Sequence, residues 1–84
     1  MHHEIKIDPP YFEAVITGKK TFEIRYNDRG YNAGDTVTML EYSHTYTGRS
    51  VTKRIGYVTS YGQKENWVVF SLLTMPQPDT DGES

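Results

Sequence analysis

The sequence predicts a small, mainly β domain of the α+β class, a β-barrel of five or six strands with one main α-helix. Three observations predict it: short segments of alternating apolar and polar residues, one capped helical segment near the N-terminus, and a chain of only 84 residues with no internal repeat. So short a chain cannot cover both faces of an open sheet, which favours a closed or partly closed barrel. The helix would plug one end of the barrel or flank it.

Composition limits the classes of protein to consider. The chain has 36% hydrophobic residues and no cysteine, which excludes disulfides, thiolate metal sites and cysteine nucleophiles. It has no apolar run of the roughly 18 residues that a membrane span needs, and its first residues do not resemble a signal peptide. We therefore expect a cytoplasmic protein with no membrane partner.

The first part of the chain predicts two strands around one helix. Alternation predicts a strand at 2–7, and Asp8 before two prolines predicts a helix over 9–17 that Gly18 ends in the left-handed conformation. Alternation then predicts a strand at 21–26. Its apolar residues are assigned to the core and its polar residues to the opposite face: Phe22, Ile24 and Tyr26 against Thr21, Glu23 and Arg25.

The second part predicts a hairpin and a last strand. Strands at 36–42 and 50–59 are expected to pair through the turn at 44–48, and the apolar run 67–73 is typical of a strand buried on both faces. Polar, turn-forming loops are expected at 27–35 and 60–66. We assign residues 1–75 to one domain and residues 76–84 to a flexible acidic tail.

The net charge of -2 argues against a nucleic-acid partner, because domains that bind nucleic acid usually have an excess of basic residues. Three of the 11 acidic residues lie in the tail, however, which leaves eight acidic against nine basic residues in the domain. Most of the chemistry lies between 18 and 29, the densest charged segment of the domain. It is interpreted either as a solvated strand face with weak ion pairs or as a site that holds an anion.

Part of this segment resembles a known signature. The run Gly18-Lys19-Lys20-Thr21-Phe22-Glu23-Ile24-Arg25 fits G-x-K-x-x-E-x-R of the ASCH superfamily, relatives of the RNA-binding PUA domain, at all four fixed positions. Further blocks, from His3-Glu4-Ile5-Lys6-Ile7 to Tyr46-Thr47-Gly48-Arg49 and the last strand, resemble a compact ASCH-like family often found in phages and prophages. The similarity covers about 2–73.

The resemblance implies a PUA-like β-barrel that binds RNA or a nucleotide in a charged cleft between the first helix and the barrel. Its location would be the host cytoplasm if the chain is phage-encoded. No cofactor, metal or catalytic residue is implied, and the oligomeric state stays open. The residues that it assigns to binding are Gly18, Lys20, Glu23, Arg25, Asn27, Asp28 and Arg29.

Two alternatives stay open beside a binding module. Some ASCH relatives are amidohydrolases acting on a modified nucleoside; Lys20 matches their lysine, but Glu23 stands at the position of their threonine, which argues against hydrolysis. The third alternative is a phage-encoded protein that binds a host protein. Nucleic-acid binding predicts a steep loss of affinity with salt, hydrolysis predicts a product, and a protein partner predicts neither.

Other candidate residues receive weaker assignments. Arg49 and Lys53 in the hairpin either follow a phosphate backbone or prevent edge pairing, while the adjacent Arg54 points to the opposite face. The three histidines are too scattered for a metal site. Tyr26 is assigned to the core, and Tyr31 either stacks on a base or packs in its loop. With Phe22 and Ile24 in the core, truncating Lys20 or Arg25 is expected to weaken binding without unfolding the domain.

Deleting residues 76–84 should change the free energy of unfolding by less than about 0.5 kcal/mol, the range of ordinary surface changes. The segment combines two prolines with three acids and lacks an apolar anchor. Urea denaturation of the full chain and of residues 1–75 measures the difference. A loss of several kcal/mol would mean that the segment packs on the domain.

Overall fold

The computed structural model describes residues 1–75, so the predicted tail lies outside the described residues. It contains one helix and five strands, which confirms the predicted mainly β class. In chain order the elements are β1 (His2–Ile7), α1 (Pro9–Ile16), β2 (Phe22–Tyr26), β3 (Thr36–Ser43), β4 (Thr45–Thr59) and β5 (Trp67–Thr74).

The five strands form one curled sheet, a half-barrel, in the order β1-β3-β4-β5-β2. β1 pairs with β3 in parallel, and the other three pairings are antiparallel. Following these directions around the sheet, β2 runs antiparallel to β1 on the far side of the opening. Within residues 1–75, β1 and β2 do not pair with each other, so they are the two edges of the sheet.

Helix α1 begins and ends close to where the sequence predicts. Asp8 precedes it with extended dihedrals, but its side chain makes no capping hydrogen bond, and the prolines occupy the first turn. Gly18 ends the helix with a φ of 82°, as its missing Cβ permits. The amide of Lys20 then donates to the Ala14 carbonyl at 2.9 Å, which fixes where the chain leaves the helix.

The core lies inside the curl of the sheet and is closed by the helix. Phe12 and Val15 of α1 are 2% exposed, and they pack with the inward-facing residues of the sheet. Tyr31 belongs to this core rather than to the surface, because its ring lies 4.8 Å from both the His3 and the Phe70 rings. Burial raises the pKa of the Tyr31 hydroxyl.

The prediction that the apolar face of β2 lies in the core is wrong. Glu23 is buried, whereas Phe22, Ile24 and Tyr26 are between 43% and 49% exposed. The register explains this, because Glu23 lies opposite Phe70 and Arg25 opposite Val68, and residues directly opposite each other share one face of the sheet. The charged residues of β2 therefore face the interior of the half-barrel.

Two other details of the sheet differ from the prediction. β5 is buried on one face only, with Val68, Phe70 and Leu72 inside and Trp67 and Leu73 exposed. β4 begins at Thr45, five residues earlier than expected, because the hairpin turn is reduced to His44, which has a φ of 67°. The hairpin is therefore longer and its turn tighter than the sequence suggests.

Asp35 joins the start of β1 to the loop before β3. One carboxylate oxygen lies 2.9 Å from Nε2 of the buried His3 and accepts from the Asn32 amide at 3.1 Å. The other accepts from the Met1 amino group at 3.1 Å. These hydrogen bonds, above all that of the His3 ring, lower the pKa of Asp35 to about 2.

The Asp35 carboxylate should make the fold sensitive to acid. An unfolded aspartate has a pKa of about 3.9, so the lowered folded value contributes stability that is complete above about pH 5 and is lost as the pH falls towards 2. The difference in Tm between wild type and Asp35→Asn should therefore shrink between about pH 5 and pH 2. Asp28→Asn, which changes a carboxylate that is 60% exposed, is the control. A Tm difference that does not vary with pH would contradict this assignment.

Candidate functional site

The opening between β1 and β2 forms a cleft of about 950 Å³. One wall is the edge of β1, which continues to Asp8, and the other is the edge of β2, with Tyr11 contributed by α1. An edge strand bonds to its sheet on one side only, so backbone N–H and C=O groups of both walls face the cleft. The ASCH resemblance implies a cleft between helix and barrel, whereas the walls of this cleft are mainly the two sheet edges.

Glu23 holds the ionic group at this opening together. Its side chain is 5% exposed, and its two oxygens accept from Lys20 Nζ at 2.6 Å and from Arg25 Nε at 3.0 Å. A buried carboxylate is tolerated only with such partners. Two cations face one carboxylate, so the trio carries one net positive charge beside the cleft.

Arg25 also crosses the opening. Its Nη2 donates to the Lys6 carbonyl of β1 at 2.9 Å, which ties β2 to β1 through a side chain. Lys20 in turn donates to the Phe22 carbonyl at 2.7 Å. Among residues 1–75, Nη1 of Arg25 has no hydrogen-bond partner, so it keeps donors for a ligand.

The structure brings together five of the seven residues that the sequence assigned to binding. Lys20, Glu23, Arg25, Asp28 and Arg29 all line the cleft. Asp28 and Arg29 form only a loose pair at 3.9 Å and stay about half exposed.

Gly18 and Asn27 do not line the cleft. Gly18 ends helix α1, and nothing lies within 4 Å of the position that a Cβ would take. Asn27 shapes the following loop, since its side-chain oxygen accepts from the Tyr31 amide at 3.0 Å. Both residues therefore have structural roles here.

Charges around the cleft balance. Four basic and four acidic residues line it: Lys6, Lys20, Arg25 and Arg29, and Glu4, Asp8, Glu23 and Asp28. A balanced lining favours a ligand that offers donors, acceptors and a flat apolar surface over one that is a cluster of negative charge.

Aromatic side chains around the cleft were not assigned to it by sequence reasoning. Tyr11, Tyr26, Tyr46 and Trp67 line the cleft and are between 37% and 55% exposed. Alternation along β2 groups Tyr26 with Phe22 and Ile24, and this face is the outer one rather than the predicted inner one. Tyr11 and Tyr46 lie in blocks that resemble the ASCH-like family, but nothing in those blocks assigns either ring to a cleft.

Comparison with known proteins assigns the chain to a family. A family model described as "Domain of unknown function (DUF3850)" matches residues 2–72. The chain belongs to this family. The match extends over β1 to β5 and includes every residue of the cleft.

A relative of this DUF3850 domain occurs in a phage. The chain is similar to the "Uncharacterized 12.9 kDa protein in GpA 3'region" of Escherichia phage P2, with 45% identity over 58 residues. The aligned part is 68% of this chain and 53% of the phage protein, so the match covers about half of the relative. The predicted link to phages is supported at this level.

Arg49 and Arg54, two of the three basic residues of the hairpin, are held by partners within the domain. Arg49 donates to the buried Glu41 through Nε at 2.9 Å and to Glu13 of α1 at 3.2 Å, and it lies 4.8 Å from the Phe12 ring. The hydrogen bonds between these two side chains raise the pKa of Arg49 and lower the pKa of Glu41. Arg49 thus fastens helix α1 to the hairpin. Arg54 similarly donates to the Gly34 carbonyl at 2.7 Å.

In residues 1–75, no three His, Cys, Asp or Glu side chains lie close enough to hold a metal ion. No helix in that range is long and apolar enough to cross a bilayer.

Arg25→Ala should lower the free energy of unfolding by about 1–3 kcal/mol, the usual cost of leaving a buried charged acceptor short of a partner. This replaces the expectation that the substitution spares the fold, since Arg25 neutralises Glu23 and reaches Lys6. Arg29→Ala is the matched control and should cost less than about 0.5 kcal/mol. Urea denaturation measures both, and equal effects of the two substitutions would refute the structural role of Arg25.

Proposed function

We propose that this DUF3850 domain is a nonenzymatic module that binds RNA or a nucleotide in the cleft between β1 and β2, beside α1. The observation that carries the proposal is the Lys20–Glu23–Arg25 trio beside an open cleft with an aromatic rim. Those three residues also occupy three of the four fixed positions of the ASCH signature. The resemblance therefore supports the same site as the geometry, and with it a PUA-like assignment of the half-barrel.

Each charged residue has a distinct part in the proposed site. Glu23 has both oxygens occupied by its neighbours, so it positions Lys20 and Arg25 instead of touching the ligand. Arg25 offers its remaining guanidinium donors to a base edge or a phosphate. Arg29, 48% exposed at the same cleft, is placed to pair with a phosphate.

The exposed edges of β1 and β2 supply the rest of the recognition. Backbone N–H and C=O groups of an edge strand can pair with the donors and acceptors of a base, as they would with another strand. The aromatic rim offers flat surfaces on which bases stack. A nucleotide uses all of these features, whereas an inorganic anion uses only the cations.

The geometry favours binding over hydrolysis of a modified nucleoside. Lys20 donates to both Glu23 and the Phe22 carbonyl, which occupies the amine as a donor rather than leaving it to accept a proton. The proposal needs no cofactor, and it keeps the expectation of a cytoplasmic location. Binding to a host protein is not supported by any group of polar side chains comparable to the one at the cleft, within the described residues.

Arg29→Ala should weaken binding of 5′-mononucleotides about two- to fivefold, the strength of an exposed ion pair. The matched control is Lys64→Ala, which removes an equal charge from an exposed position outside the cleft. Isothermal titration of the wild type and both variants with AMP, CMP, GMP and UMP measures the effect.

The same titrations are repeated over a range of salt concentrations, and the titrated samples are then analysed for product. Because the charged lining balances and a mononucleotide has no condensed counterions, log K should fall by less than about 0.7 per decade of salt, the slope for one phosphate contact in a single strand. Chromatography of the titrated samples should show unchanged nucleotide. Absence of binding by all four nucleotides, or equal losses in Arg29→Ala and Lys64→Ala, would contradict the proposal.

A further inference from the structure

Tyr26 and Trp67 form an exposed aromatic pair on the outer face of the sheet. They lie opposite each other in the β2–β5 register, with ring centroids 6.0 Å apart and planes at 77°. Tyr26 is 49% and Trp67 37% exposed, and both line the cleft. Neither ring belongs to the hydrophobic core. The pair is therefore an apolar surface at the mouth of the cleft that the fold itself does not use.

The strand residues beside this pair carry no negative charge, while Asp28 and Glu65 lie in the adjoining loops. The outward-facing residues beside it on β2 and β5 are Phe22, Ile24 and Val69, none of them acidic. Arg29, which lines the same cleft, follows Tyr26 by three residues and contributes a half-exposed positive charge. An apolar, aromatic surface next to a cation is the combination on which nucleic-acid strands stack.

A second aromatic pair lies on the other side of the cleft. Tyr46 is 54% exposed, lines the cleft and packs edge-on against Tyr42, with ring centroids 5.0 Å apart. Nζ of Lys6 lies 4.5 Å from the centroid of the Tyr42 ring. Lys6 belongs to β1, so this pair adjoins the wall opposite β2. Exposed rings and a nearby cation thus occur on both sides of the cleft.

We propose that the ligand is a single-stranded nucleic acid of at least three nucleotides, which crosses the cleft and stacks one base on Tyr26 and Trp67. The inference rests on the proposed function and deepens it. One base lies between the walls, near Arg25, and its neighbours on the strand contact the aromatic pairs on either side. Stacking then supplies affinity that the balanced charges do not, because each base stacked on an aromatic ring strengthens binding.

The test exploits the single tryptophan of the chain. The probes are the ribo-oligonucleotide A5, its deoxy counterpart, 5′-AMP and an abasic pentamer with the same number of phosphates. We expect A5 to bind at least tenfold more tightly than AMP and to quench the fluorescence of Trp67. The abasic pentamer should do neither. Both sugars should give the same result, because the bases stack in the same way.

Substitutions separate stacking from the rest of the site. Tyr26→Ala, which keeps the Trp67 reporter, should weaken A5 between about five- and 150-fold, the range that stacking energies convert to. Tyr26→Phe keeps the ring and should retain the affinity for A5. Tyr61→Ala removes a ring that is 90% exposed outside the cleft and should have no effect.

The outcomes distinguish this inference from the function on which it rests. If neither AMP nor A5 binds, the proposed function fails and this inference fails with it. If AMP binds and A5 binds no more tightly, the site takes a free nucleotide, and only the strand is refuted. If A5 binds tightly but Tyr26→Ala, folded by circular dichroism, has no effect, the outer face of β2 is not a stacking surface, and a protein partner becomes the better explanation for its exposed rings.

Discussion

The buried carboxylate of Glu23 holds Arg25 in the position from which it bridges the two open edges of the sheet. A sheet of five strands has two edges, and here β1 and β2 do not meet through backbone hydrogen bonds within residues 1–75. Arg25 spans them instead, with one donor on Glu23 and another on the Lys6 carbonyl. A closed barrel would join these edges with backbone hydrogen bonds along their length. A side-chain bridge at one point leaves the remaining edge groups accessible, and this creates the cleft.

The same ionic group decides which face of β2 looks outward. With Glu23 and Arg25 directed inward, the alternation of a strand sends Phe22, Ile24 and Tyr26 to the outer face. Tyr26 is thereby placed beside Trp67 at the mouth of the cleft. The orientation of β2 therefore determines both the charged floor of the cleft and the aromatic surface outside it. Turning the strand over would change both together.

Local patterns in the sequence are enough to predict the elements of this fold but not their environment. The bounds of β1 and the positive φ of Gly18 follow from alternation and from the turn chemistry of glycine. The orientation of β2 does not, because alternation shows that a strand has two faces without showing which one is buried. Lys20 and Arg25 make a buried Glu23 tolerable, but the pairing of β2 with β5 that turns Glu23 inward joins segments far apart in the chain. Tyr31 was missed for a similar reason, since its contacts with His3 and Phe70 come from distant parts of the chain.

In the floor of the cleft, the residues that stabilise the fold are also the ones proposed to bind the ligand. Lys20, Glu23 and Arg25 stabilise the half-barrel and also form the floor of the cleft, so a loss of binding in their variants has two possible causes. Arg29 and Tyr26 are different, because they line the cleft while making few contacts with the folded core. The chain thus separates a structural ionic group from more exposed residues that can vary at small cost in stability. Substitutions at the rim should therefore alter the lining of the cleft while leaving the fold intact.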